Sequence, residues 1–167
     1  MDRLARDILK KSRSLDDLAI IGIRRRGVPI AERVAERIKE LEGQTPRTGA
    51  LDITLYRDDL TLVAAQPVVS KTEIDYPVEG LRVVLCDDVL FTGRTVRAAM
   101  DALLAIGRPA RIELAVLVDR GFRELPVEAN YVAERVDTTL NQVIKVHLAE
   151  IDGEDFVEVL TTEEKVK

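Results

Sequence analysis

A chain of 167 residues, 46% hydrophobic and 33% charged, has the size and make-up of one globular domain; a disordered, collagen-like or membrane-spanning polymer is excluded. One cysteine and one histidine leave no material for an internal disulfide or a histidine-rich zinc site. A net charge of −5 argues against a general nucleic-acid binder, although residues 1–47 hold 12 basic and 8 acidic side chains against 5 and 11 in residues 121–167, so any basic face is to be sought at the N-terminal end.

The chain opens on a helical stripe, Leu4, Ile8 and Leu9, among Arg3, Arg6, Asp7 and Lys10. Leu18–Ile23 is an apolar run of strand length. Ile30, Val34, Ile38 and Leu41 then recur at helical spacing, with Pro29 near the start and Gly43 as the stop. Gly49–Leu55 alternates as a half-buried strand does. Residues 56–80 lose periodicity, with Asp58, Asp59, Pro67 and Pro77, as a functional loop or mobile hairpin would. Leu81–Cys86 is apolar apart from Arg82, Thr95–Ile106 is helical, and Ile112–Val118 is again a buried strand. From Gly121 an irregular stretch leads to two short strands near Val143–Leu148 and Phe156–Leu160. Strands alternating with helices predict an α/β fold, a parallel sheet flanked by helices.

The chemistry concentrates in Val83–Thr95, VVLCDDVLFTGRT. An apolar strand ends in two adjacent carboxylates, and a short turn with glycine and two threonines opens a helix. In a parallel sheet ligands bind beyond the carboxyl ends of the strands, so Asp87 and Asp88 sit where a ligand belongs. The free amides of Thr92, Gly93, Arg94 and Thr95, with the helix dipole, form an anion cradle suited to a monoester phosphate. The two acids would accept ribose hydroxyls. Cradle and acids together describe a 5-phosphorylated ribose. The bland alternative is a strand end followed by a helix cap. A phospho-receiver module also pairs acids after a strand, but beyond Asp119 come Arg120 and Gly121 with no switch threonine and lysine.

This segment resembles the phosphoribosyl pyrophosphate (PRPP) motif of type I phosphoribosyltransferases. With LDITLYRDDL at Leu51–Leu60, GRTVRAAMDAL at Gly93–Leu103 and GRPARIELAVLVDRGFRELP at Gly107–Pro126, the chain is similar to the bifunctional pyrimidine operon attenuation regulators and uracil phosphoribosyltransferases, from about Arg3 to about Val159. The resemblance implies a single phosphoribosyltransferase domain over 1–167, with a hood at about 121–142 and a mobile hairpin at about 56–80. It implies an enzyme that makes UMP and pyrophosphate from uracil and PRPP with Mg²⁺ carried by the diphosphate. Asp87, Asp88 and Arg57 are its catalytic candidates, Arg57 acting on the departing pyrophosphate. The PRPP and nucleotide contacts fall on Arg24, Arg25, Arg26, Asp87, Asp88, Val89, Leu90, Phe91, Thr92, Gly93, Arg94, Thr95, Arg120 and Val143. Arg24–Arg26, within GIRRRG at 22–27, could instead be a solvated basic turn. Reaction through an oxocarbenium-like ribose needs positioning and water exclusion rather than a strong acid or base.

The resemblance also implies a cytoplasmic homodimer or homotetramer that binds leader RNA of a pyrimidine operon through Arg3, Arg123 and Thr138. Phe122 and Arg6 stand where the family usually has histidines, and Glu128 and Glu134 where it has basic residues. Those exchanges are either drift of exposed positions or the mark of an enzyme whose RNA attenuation is lost or rewired. In the hood Ala133, Glu134 and Arg135 replace the family's glycine, lysine and asparagine. Two alternatives accompany the reading: a non-catalytic nucleotide-sensing RNA regulator, and a phosphoribosyltransferase for another base. His147 and Cys86 read as structural side chains, and Thr161–Lys167 as a frayed tail.

Overall fold

The computed structural model describes residues 1–12, 14–58 and 71–162. Helix α1 (Asp2–Lys10) precedes β1 (Leu18–Ile23), α2 (Gly27–Glu42) and β2 (Arg47–Leu51). After a 3-10 turn at Thr54–Tyr56 come β3 (Arg82–Leu90), α3 (Arg94–Ile106), β4 (Arg111–Asp119) and β5 (Tyr131–Arg135). The chain then runs through β6 (Gln142–His147), the one-turn α4 (Ala149–Asp152) and β7 (Phe156–Thr161). Five parallel strands make the central sheet in the order β2-β1-β3-β4-β5, and β6 and β7 form a separate antiparallel pair.

Alternation along the central strands builds two cores. Leu18, Ile20, Val84, Cys86 and Ala115 face α1, α2 and the inner side of β6, where Leu4, Ile8, Ile30, Val34, Ile38, Ile144 and Val146 complete one cluster. Ala19, Ile21, Val83, Leu85, Leu114 and Val116 face α3 and meet Val96, Ala99 and Leu103 in the other. Because both faces are covered, β1 is buried at every residue, which is why it reads as an unbroken apolar run. Helix α2 ends at Gly43, in the left-handed conformation at φ 74°, with its amide on the Lys39 carbonyl at 2.8 Å, as the stop signal predicts.

The polar exception in β3 has a structural reason. Arg82, at the amino end of the sheet, donates from Nε and Nη2 to Glu113 Oε2 at 2.9 and 2.8 Å and from Nη2 to Tyr131 Oη at 2.7 Å. Tyr131 donates to the same carboxylate oxygen at 2.8 Å. Burial alone would raise the Glu113 pKa, but the Arg82 and Tyr131 hydrogen bonds outweigh it and hold the carboxyl below its usual value. Tyr131 is pushed up to about 12, by burial and then by the adjacent carboxylate.

Three local expectations are corrected. The strand expected over Gly49–Leu55 runs instead from Arg47 to Leu51, because Asp52 Oδ1 accepts the Thr54 amide at 2.8 Å and its hydroxyl at 2.6 Å and turns the chain into the 3-10 helix. The strand expected to end before the acidic pair continues through it to Leu90, paired with β4 as far as Asp119. The stretch expected to be irregular after Gly121 contains β5, the edge strand of the central sheet. Of the hairpin expected over 56–80, residues 59–70 lie outside the described residues, and Glu73 forms an isolated antiparallel bridge with Ala50.

Candidate active site

Strand order points to a place before any side chain does. From β1 the chain moves outward to β2, then returns to β3 on the other side of β1 and continues outward through β4 and β5. The connections therefore diverge beyond the carboxyl ends of β1 and β3, leaving a crevice. Both chemistry-bearing segments open onto it: Arg24–Arg26 after β1, Asp87–Asp88 at the end of β3.

The first segment sits low because of glycine. A Cβ at Gly27 would lie 2.1 Å from the Cys86 carbonyl oxygen, so the start of α2 packs directly on the β3 backbone. The three arginines then diverge. Arg24 reaches the segment at 71–73, with Nη2 3.0 Å from Glu73 Oε1 and Nε donating to the Lys71 carbonyl at 3.0 Å. Arg26 turns the other way, donating to the Val146 carbonyl at 2.8 Å and to Asp152 Oδ1 at 2.9 Å. Arg25 is exposed and without a side-chain partner among the described residues. Arg24 and Arg25 border a cavity of about 770 Å³ with Val28, Pro29, Glu32 and α4. Arg26 borders one of about 340 Å³ with Asp88, Ile144, Lys145, Val146 and His147.

The two carboxylates are not equivalent. Asp88 is half-buried and accepts the Val89 amide at 2.8 Å. Asp87 is buried and accepts the Asp88 amide at 3.0 Å. Burial, then the neighbouring Asp88 charge, drive the Asp87 pKa well above its usual value, while Arg57 pulls it partly back. A buried acid with so little compensation suits a site that receives a cation or hydroxyl donors. Val89 is half-buried next to the pair. Leu90 is part of the apolar core, and its carbonyl accepts the Arg120 amide at 3.1 Å.

Past the strand, Gly93 is the cap of α3 with φ 91°, a value that favours glycine, and a Cβ there would lie 3.3 Å from Val127 Cβ. The Thr92 carbonyl accepts the Glu124 and Leu125 amides at 2.9 and 3.2 Å, so residues 124–127 back the turn. The first amides of α3, including that of Thr95, have no partner within the helix and point out of its start. Arg120, buried, lays its guanidinium 4.2 Å from the centre of the Phe91 ring and donates to the Thr139 carbonyl at 3.0 Å. Val143 stands exposed on β6.

The three RNA candidates each make contacts within the protein. Arg3 donates to the Ala133 carbonyl at 3.0 Å, which joins α1 to β5 in one surface. Thr138 lies 3.5 Å from the Arg120 carbonyl. The Arg123 guanidinium is engaged by the Val127, Phe91 and Gly121 carbonyls at 2.9–3.0 Å and by Asp119. Lys145 borders the same cavity as Asp88, and its one signal in the sequence is a lysine between Ile144 and Val146. His147 lies flat on Phe156, ring centres 4.1 Å apart, with Nε2 2.9 Å from Glu158 Oε1. Cys86 is fully buried and burial pushes its thiol pKa up, which keeps it unreactive.

Comparison with known proteins gives a consistent result. The phosphoribosyl transferase domain family model matches residues 1–154. A protein of Pelotomaculum thermopropionicum named "Bifunctional protein PyrR" is 55% identical over 164 residues, 98% of this chain and 91% of the relative. One of the same name from Acetivibrio thermocellus is 50% identical over 165 residues, covering 99% and 90%. A hypoxanthine phosphoribosyltransferase crystal structure from Staphylococcus aureus superposes with TM-score 0.66 at 18% identity, covering 99% of this chain and 87% of that one, and supports the fold.

Proposed function

The chain belongs to the phosphoribosyl transferase family and, within it, to the bifunctional PyrR proteins; on that premise we propose that it transfers the phosphoribosyl group of PRPP to uracil, forming UMP and pyrophosphate. The carrying observation is the carboxylate pair, Asp87 buried and Asp88 half-buried, next to a glycine-capped helix start, at the point where the sheet connections diverge. In this reading the amides of Thr92–Thr95 hold the 5′-phosphate, and Asp87 and Asp88 accept the ribose hydroxyls. Arg24 and Arg25 take the diphosphate, and the cavity between Asp88 and β6 receives the base.

The bond from the ribose carbon to pyrophosphate breaks as one to a uracil nitrogen forms, and the nitrogen releases its proton. Positive charge develops on the ribose beside two carboxylates and negative charge on the leaving group beside Arg24, Arg25 and Arg57, so both are met by groups already in place. Mg²⁺ bound to the diphosphate would add to the neutralisation of that leaving group, and the undercompensated charge of Asp87 with Asp88 fits a metal held near the ribose hydroxyls. Regulation belongs to the same reading: UMP-dependent binding of pyrimidine-operon leader RNA across the surface that Arg3 and β5 share, in a cytoplasmic homodimer or homotetramer. Among the described residues no helix is long and apolar enough to cross a membrane. Exposed Leu104 and Ile106 on α3 and Val157 and Val159 on β7 are apolar surface that self-association would bury.

Steady-state assay with PRPP, Mg²⁺ and a panel of bases tests the proposal. Turnover with uracil far above that with hypoxanthine, guanine or orotate supports it. Binding of UMP without any formation of it would instead identify a sensor, and preference for another base would move the specificity.

A further inference from the structure

Two arginines one helical turn apart fasten the chain around Arg57 to α3. Arg97 donates from Nη2 to the Tyr56 carbonyl at 2.8 Å, and the same nitrogen lies 3.5 Å from Asp58 Oδ2. Arg94 donates from Nη1 to Asp58 Oδ2 at 3.0 Å and from Nε to Glu124 Oε2 at 2.7 Å. The first turn of α3 holds no acidic residue, so these cations stand at the end of the helix where its dipole disfavours them. Asp58 and Glu124 bring negative charge to them from outside the helix, and Asp101, one turn further along α3, accepts from Arg97 Nη1 at 2.8 Å and leaves Nη2 for Tyr56 and Asp58. The Asp58 pairs are too exposed to add much to global stability, so their effect falls on geometry.

We propose that Asp58 is a positioning residue for the transfer reaction: its carboxylate, gripped by Arg94 and Arg97, fixes the backbone on both sides of Arg57 relative to the phosphate-binding start of α3. This rests on the reaction proposed above. One helix end then sets both the 5′-phosphate and the cation that meets the departing pyrophosphate, and the spacing between them is built into α3.

Asp58→Ala and Asp58→Asn are compared with the parent enzyme in steady-state kinetics. The turnover number is expected to fall about tenfold with the KM for PRPP within about twofold, the pattern of an interaction realised in the transition state. In an Arg57→Ala background, Asp58→Ala should cost little more, because Asp58 acts through that residue. Hydrogen exchange reads the same idea without turnover: the amides of Tyr56 and Arg57 should exchange several-fold faster in Asp58→Ala while those in the middle of α3 keep their protection. Unchanged turnover, fully multiplicative losses in the double variant, or unchanged exchange at Tyr56 and Arg57 would overturn the inference. If the parent enzyme made no UMP, the assigned reaction would fall, and accelerated exchange would still support Asp58 as the clamp.

Discussion

Asp87 carries the sharpest conflict between stability and function. Its proton is held more tightly in the folded chain than in the unfolded one, because burial and the adjacent Asp88 penalise the anion. The stability tied to this group is therefore greatest in acid and declines as pH rises past the ordinary value of 3.8, until the folded carboxyl ionises. Asp87→Asn removes that penalty. The ligand-free variant is expected to melt about 2–8 °C higher at neutral pH, to lose the pH dependence specific to this site, and to turn over at least about tenfold more slowly. Thermal melts of both proteins between pH 4 and 8, set beside kinetics, check all three; a lower melting point for the variant would refute the undercompensated acid. Gly93 works through shape instead. Gly93→Ala forces a side chain into φ 91° and against Val127, which should cost about 1–2 kcal/mol and raise the KM for PRPP more than it lowers turnover at saturation.

Among elements, what the sequence makes legible follows from burial. The limits of β1 are readable because every residue is buried and apolar, and the end of α2 because Gly43 closes it with a left-handed cap. The β2 end is not, since the alternation through Leu55 continues past the Asp52 side chain that turns the backbone. Strand β5 hides because only Tyr131 of its five residues is fully buried, and an edge strand carries little pattern. In the site, the acids and the cradle are contiguous in sequence and could be read together, whereas the roles of Arg97 and the divergence of the three arginines depend on contacts across 39 to 126 positions. The Arg82–Glu113–Tyr131 group also emerges only in three dimensions, and it ties β3, β4 and β5 at the sheet end away from the crevice. Glu113→Ala would leave a buried guanidinium uncompensated and is expected to cost about 3–5 kcal/mol, with Tyr131→Phe costing about 1 kcal/mol. Turnover per folded molecule should be unchanged in both, and denaturant titration alongside active-site titration separates the two quantities.

At the scale of the whole molecule, charge decides how RNA could be held. The Arg3–Ala133 contact sets α1 against β5, but Asp2 pairs with Arg6 and Asp7 with Lys10 on that helix, Glu134 stands on β5 itself, and the Arg123 guanidinium is occupied by the Phe91, Gly121 and Val127 carbonyls and by Asp119. Few cations remain for phosphates, so binding of leader RNA should be weaker in salt dependence than that of a strongly basic regulator, with log K against log salt sloping by about −2 to −4. Glu134→Lys exchanges a repulsive charge for an attractive one on that surface. It is expected to tighten RNA binding and steepen the slope by about 1, while leaving UMP formation unchanged. Gel shifts with the cognate leader at several salt concentrations, with and without UMP, measure both. If Glu134→Lys alters neither affinity nor slope, RNA does not lie across α1 and β5, and the regulatory surface belongs elsewhere on the molecule.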